Sequence, residues 1–262
     1  MSYFVARIPS FLALALALAA AIAAPPSAAR AAIVFSDDFS SPAGPLAGTT
    51  PDVGGVWTPT ASALTPIQVD GAAALVKTSG QDEYSAFTAP VPNTGLGLIT
   101  TSLNLTVTAA QANGDYFAHL SDPVGTTSVF VQRLFARSTT GGFQLGLVDT
   151  SGTGSTITYG AGVLALNTPL NVDVLWTLVP GSNNDTFVVN VGGLPYLTHT
   201  WTSMTAEPPA LSAANLRQGS AGNAPTVTVN SYAVDANVIP EPASWALAAL
   251  ALACSSIIVR KR

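Results

Sequence analysis

Ile99-Thr100-Thr101-Ser102-Leu103-Asn104-Leu105-Thr106-Val107 is the stretch whose reading decides the fold class. Four of its five odd positions are branched apolar residues and the fifth is a threonine, while every even position is a hydroxyl or amide residue. That alternation is the two-residue period of a strand with one buried face, since successive side chains on an extended backbone point to opposite sides. Val172, Val174, Trp176 and Leu178 repeat the pattern and place Trp176 in a core. The turn-forming run Pro180-Gly181-Ser182-Asn183-Asn184-Asp185 and then Phe187, Val189 and Val191 follow, which together predict a hairpin. Further strands are predicted at 33–39, 73–78, 115–121, 128–136, 143–148, 156–159 and 227–234. No segment between them has a convincing helical period beyond two turns. Many short strands separated by Gly, Pro, Asn and Thr predict an all-β sandwich or barrel.

Charge is sparse in this body and one-sided. Between residues 33 and 238 the basic residues are Lys77, Arg133, Arg137 and Arg217, against thirteen acidic ones, for a net charge of −9. Such a surface repels nucleic acid and anionic lipid headgroups, so nucleic-acid binding is excluded. The single cysteine, Cys254, lies outside the body, which must therefore stand on its apolar core without a disulfide. About two hundred residues suffice for that.

The two ends read as addresses. Arg7 followed by the apolar run 11–24 and then Ala29-Arg30-Ala31 has the layout of a secretory signal peptide over 1–31. At the other end Pro240-Glu241-Pro242 precedes the uncharged, Ala/Leu-rich run 243–259 and the basic cluster Arg260, Lys261 and Arg262. Seventeen residues without a formal charge meet the lower limit of roughly 17–25 for a membrane-crossing helix. The basic cluster is the cytoplasmic side of such a span. The triplet, apolar run and basic cluster, in that order, resemble the PEP-CTERM sorting signal of certain Gram-negative bacteria. The resemblance implies that Pro240, Glu241 and Pro242 form the recognition triplet of an exosortase, a membrane-embedded protease, and that Arg260 to Arg262 are the membrane stop. It also implies substrates associated with exopolysaccharide and biofilm matrix. The expected organisation is thus a signal peptide (1–31), a β-sandwich domain (32–238) and a sorting signal with its transmembrane helix (239–262). Its expected partners are the secretion translocon, an exosortase and the membrane before processing, and its destination is the cell surface or extracellular matrix.

Strand order carries a second resemblance. The opening Phe35-Ser36-Asp37-Asp38-Phe39, the central long hairpins and the closing Val227-Thr228-Val229-Asn230-Ser231-Tyr232 are similar to a concanavalin or laminin-G-like jelly roll. That resemblance implies that the first and last strands lie together and close the sandwich.

Chemistry is harder to find. Glycosidases need two carboxyl groups flanking one bond, yet the only glutamates of the body are Glu83 and Glu207, and Asp82 and Glu83 are neighbours that point to opposite faces if extended. The expectation is solvated turn residues, no catalytic residue and no enzyme. His119 and His199 are far apart in sequence and form a zinc pair only if the fold joins them. Neither a nucleophile elbow nor a phosphate loop occurs. Asp37 and Asp38 on the first strand, with Asn230 and Asp235 on the last, form a candidate oxygen-ligand set for a structural calcium ion; no other cofactor is expected. Trp57, Tyr84, Tyr196 and Trp201 are candidate glycan-stacking residues, because they sit in loop-like contexts. The expected role is a non-catalytic exported surface or matrix protein that touches polysaccharide. The alternative is a glycoside hydrolase or lyase whose carboxylates are dispersed in sequence.

Overall fold

A computed structural model describes residues 32–239 apart from 61–63, 78, 94–95, 123–128, 151, 153, 182 and 205–209. The signal peptide, the Pro-Glu-Pro triplet, the apolar run and the basic tail all lie outside the described residues. In chain order the strands are β1 (Ala32–Asp37), β2 (Gly44–Pro45), β3 (Thr58–Pro59), β4 (Gln68–Val69), β5 (Ala74–Val76), β6 (Glu83–Pro92), β7 (Leu96–Ala109) and β8 (Asp115–Asp122). They continue with β9 (Val129–Thr139), β10 (Gly142–Thr150), β11 (Thr158–Tyr159), β12 (Leu170–Leu178), β13 (Thr186–Val191), β14 (Leu194–Thr200), β15 (Ala210–Leu216) and β16 (Thr226–Ile239). No helix occurs among the described residues, and every strand pairing is antiparallel.

The strands form two sheets packed as a β-sandwich. The first runs β14-β13-β12-β7-β16-β5-β4-β2, with β1 also paired to β16; the second runs β11-β10-β9-β8-β15-β6-β3. The quoted stretch lies in β7, at the heart of the first sheet, and its odd positions are all buried while its even ones are partly exposed. Trp176 is fully buried opposite Ile99, as its alternation predicts. The first and last strands pair, Phe35 facing Val234 and Asp37 facing Tyr232, so the chain closes on itself. Inward residues of both sheets merge into one apolar core, including Phe117, Leu134 and Leu216 from the second sheet.

Six strands escape the sequence reading: the two-residue β2, β3 and β4, and the longer β6, β14 and β15. β15 reads Ala-Leu-Ser-Ala-Ala-Asn-Leu and β6 carries Ala86, Ala89, Pro90 and Pro92. Alanine and proline are poor strand formers in isolation. Here the neighbouring strands supply the pairing: β15 lies between β8 and β6, and Ala213 and Ala214 have no exposed surface.

Candidate functional site

Register assigns each residue of the second sheet to a face. Leu216, Ala118, Ala214 and Leu120 are paired core residues, so their neighbours Asn215, His119 and Ser121 point away from the first sheet. On β9, Leu134 and Ala136 pack in the core, so Arg133, Phe135 and Arg137 point outward together with Tyr116, which pairs with Phe135. The outer face of the second sheet thus gathers three of the four cations of the body. The first sheet has a different outer face: Asn230 donates to Asn104, Asn104 to Asn171, and Ser102 to Asp173, each at 2.7 Å.

Arg217, just past β15, organises one end of the outer face. Its Nη1 is 2.7 Å from Asp115 Oδ1, its Nε is 3.5 Å from Asp82 Oδ2, and its guanidinium centre lies 4.1 Å from the Tyr116 ring centre. Arg133 covers the same ring at 5.0 Å, and Arg137 lies 3.7 Å over Tyr159. Asp82 also accepts the Gln218 N–H at 3.1 Å and lines a cavity of about 460 Å3 with Thr60, Thr65, Ser79 and Ser220. Gly80 and Gly219 form part of its wall, where a Cβ would collide with Gln218 and Asp115 respectively. Burial pushes the Asp82 carboxyl up to about 6, aided by Asp115 and opposed by Arg217 and the Gln218 N–H. Tyr116 is also pushed up by burial, so its phenol keeps its proton at neutral pH.

Glu83 points the other way, into the sandwich. Its Oε1 accepts the Ile67 N–H at 3.0 Å, its Oε2 is buried without a partner, and burial raises its carboxyl to about 7. The two acidic neighbours do take opposite faces, but neither is a solvated turn residue. Asp82 is held by Arg217 and Glu83 has no exposed surface.

The histidines stay apart, one in each sheet. His119 is 3 % exposed, between Phe130 at 4.5 Å and Tyr116 at 5.4 Å ring to ring, and neither ring nitrogen has a hydrogen-bond partner among the described residues. Burial, with Arg217 and Arg133 adding to it, lowers it to about 3, so the imidazole is neutral. His199 on β14 bonds Thr158 at 2.8 Å and lies 3.5 Å from Asp149. Burial would raise the Asp149 carboxyl, but His199 and the N–H groups of Thr202, Thr150 and Ser203 hold it well below the usual carboxylate range.

The glycan-stacking expectation needs correction at two residues. Trp57 is 1 % exposed and donates its indole N–H to Asp37 at 2.6 Å. Trp201 is 6 % exposed and donates to the Ser203 carbonyl. Neither ring is open to a sugar, because Trp57 packs against Phe35 and Phe39 and Trp201 against Trp176 and Phe187. Tyr196 is partly buried over Gly160 and Gly162, with its hydroxyl on the Gly162 carbonyl at 2.6 Å. Tyr84 remains on the outer face of the second sheet, opposite Asn215.

The calcium set divides. Asp37 and Asp38 join Asp52, with one oxygen from each within 4.8 Å of the others, while Asn230 is tied to Asn104 and Asp235 faces Ile33. Both Asp37 oxygens already accept hydrogen bonds, from Trp57 and from the Phe39 N–H.

Of the outer-face cluster the sequence weighed only Asp82, as a solvated turn residue, and His119, as half of a zinc pair; Asp115, Tyr116 and the three arginines were not among its candidates. One signal was available: Arg133 and Arg137 are two of only four cations in the body, and they flank Phe135 at alternate positions of one strand.

No protein-family profile and no curated protein sequence matches this chain. Similar solved structures exist at low identity. The CBM2 module of the evolved Dit of Lactobacillus casei BL23 phage J-1 is 14 % identical, with 80 % of this chain and 97 % of that one covered at a TM-score of 0.49. An alginate lyase, Aly36B, in complex with an alginate tetrasaccharide is 10 % identical, covering 80 % and 97 % at 0.47. An endo-1,3-beta-glucanase from Streptomyces sioyaensis is 14 % identical, covering 82 % and 99 % at 0.41. These likenesses concern the fold. They also correct the expectation that the chain is no enzyme, because glycan lyases and hydrolases stand among its structural neighbours.

Proposed function

We propose that the protein is an exported carbohydrate-active enzyme that cleaves glycosidic bonds on the outer face of the second sheet. The observation that carries this reading is Asp82, a carboxyl raised to about 6 on the wall of an open cavity. A general acid–base group works best when its pKa lies near the working pH. Asp115 supplies a second carboxyl, since Arg217 contacts both. In this reading Asp82 passes its proton to the leaving glycosidic oxygen while a water bonds to the anomeric carbon and gives up its proton to Asp115, Arg217 fixes both carboxyls, and the hydroxyls of Thr60, Thr65, Ser79 and Ser220 meet those of the sugar. Paired carboxyl groups flanking one bond are what glycoside hydrolysis needs.

The test is incubation of the purified protein with neutral β-glucans and with polyuronates, scoring new reducing ends. Elimination is scored separately by the ultraviolet absorbance of unsaturated sugar ends. Wild-type cleavage of one polymer that Asp82→Asn does not cleave is the expected result. Cleavage of none, or full activity of the variant, defeats the proposal.

The address belongs to the same reading. The chain is made with a signal peptide and delivered to the envelope, where an exosortase acts at Pro240-Glu241-Pro242. Glu241→Ala then leaves an unprocessed, membrane-retained chain in cell fractions. Normal processing of that variant argues against recognition of the triplet.

A further inference from the structure

The arginines of the second sheet are placed oddly for a structural role. In a body with thirteen acidic residues and four basic ones, an arginine that only stabilised the fold would find a carboxylate. Arg217 does, twice. Arg133 and Arg137 make no ion pair among the described residues. Arg133 Nη2 donates to the Thr150 carbonyl at 2.6 Å, and Arg137 donates from Nε and Nη2 to Gln144 Oε1 at 3.0 and 2.9 Å. Both positive charges are thus positioned by neutral acceptors and not cancelled. Asp149, in the strand next to Arg133, is committed to Thr202, Ser203 and His199.

The rings beneath them set the guanidinium geometry. Arg137 lies on Tyr159 and Arg133 lies over Tyr116 and Phe135. An aromatic support holds a planar guanidinium in a fixed orientation, and a guanidinium edge matches the two oxygens of a carboxylate. The two arginines are four residues apart on one strand, roughly 13 Å along its axis. A single small anion cannot bridge that distance, whereas a chain with repeated charges can.

A second observation comes from a different residue type. His119 is on the same face, next to the Tyr116 ring that Arg133 and Arg217 share, with its two ring nitrogens buried and unpartnered. Buried polar groups are normally satisfied, and an unsatisfied one calls for an explanation. A neutral imidazole has one donor and one acceptor to offer a ligand that displaces Phe130 and leaves the Tyr116 support in place.

We infer that the glycan taken by this face is a polyuronate, whose repeated sugar carboxylates are bound by Arg133 and Arg137, with His119 bonding to the same sugar units. The inference rests on the glycan reading of this face and adds the class of substrate. The body as a whole, at −9, repels such a polymer, so the chain is steered to the cationic strip.

The test compares one polymer with its own neutral form. Polygalacturonate and alginate, and the same polymers with their carboxyls reduced to primary alcohols, are cast into native gels and the retardation of the protein is measured. Retardation by the polyuronates that weakens with added salt, and none by the reduced polymers, is the expected result. Arg137→Gln weakens it about tenfold and the Arg133→Gln/Arg137→Gln pair abolishes it, while Arg137→Lys, which keeps the charge, retains part. Melting curves confirm that each variant is folded. Should Arg133→Gln not fold, Arg137→Gln alone decides, because its partner Gln144 lies at the surface end of β10. Equal retardation by acidic and reduced polymers, or unchanged binding by folded Arg137→Gln, overturns the inference. So does cleavage of a neutral glucan with no retardation by any polyuronate, but that outcome leaves the proposed enzyme standing.

Discussion

The two sheets bury similar inner faces and turn different outer faces to solvent. At the centre of the first sheet the outward side chains satisfy one another, while farther out Asn190 on β13 has its Oδ1 buried without a partner among the described residues. Asn230, Asn104 and Asn171 form a ladder across three neighbouring strands, and Ser102 bonds Asp173 beside it. On the second sheet the outward groups are left with capacity: two arginines without a carboxylate, a histidine without a partner, and a carboxyl raised to about 6. The ladder is cross-strand stabilisation, the usual role of paired polar residues on a sheet. Unsatisfied polarity in a folded protein is a cost to stability, and where it concentrates, a ligand is the natural explanation.

The largest expected effect tests the charged face directly. Asp82→Asn should lower glycan cleavage by 10²-fold or more, the usual contribution of a general acid or base, while the melting temperature moves by only a few degrees. Retained activity would mean that the polarity of the second face is structural, and the contrast between the faces would collapse.

Next comes the pH dependence of folding, where the excess polarity reaches beneath the second sheet. Glu83 titrates at about 7 in the fold and near 4.5 when unfolded, so the folded state holds its proton more tightly. Its stabilising contribution is present below the unfolded value and disappears as pH rises through about 7. The change is on the order of 3 kcal/mol across that window. Thermal unfolding of the wild type at pH 5 and pH 8 should therefore show a higher midpoint at pH 5, and Glu83→Gln should flatten the difference. An equal slope in both proteins contradicts the buried-carboxyl assignment. Asp149, held low, acts in the opposite sense and only in stronger acid; inside the window Asp82, raised to about 6, adds to the effect and His119, lowered to about 3, opposes it, so the contrast with Glu83→Gln isolates the glutamate.

A smaller effect has the unusual sign. His119→Leu removes two unpartnered nitrogens from a buried site, so stability should rise or stay level, within about 1 kcal/mol, while retention by a polyuronate gel falls. Chemical denaturation and affinity electrophoresis on the same sample separate the two. A large loss of stability would show that the ring is structural after all.

The smallest effect belongs to the ladder. Asn104→Ala removes one donor and one acceptor from the first sheet and should cost about 1 kcal/mol without altering glycan retention or cleavage. A loss of binding would move the site to the other face.

How much of this was legible depends on how far apart the cooperating residues lie in sequence. Trp176 was placed in the core from its alternation with Val172 and Val174, because the period of a strand is a local property. Pairing of the first and last strands followed from a resemblance in strand order. Trp57 misled, because its Pro- and Gly-rich context looked like an exposed loop, whereas its indole reaches back 20 residues to a buried carboxylate. β15 was invisible, since an alanine-rich strand is defined by the neighbours that pair with it.

The sequence by itself determined the all-β class, the acidic body, the scarcity of cations and the strands that alternate cleanly, all properties carried by short windows or by composition. Only the tertiary structure decided that Asp82, Asp115, Tyr116, His119, Arg133, Arg137 and Arg217 meet on one face. Their meeting depends on the register of β8 between β9 and β15 and on Arg217 reaching both Asp115 and Asp82. A one-residue slip in that register would send the outward side chains into the core, so the site exists only once the sheet has formed.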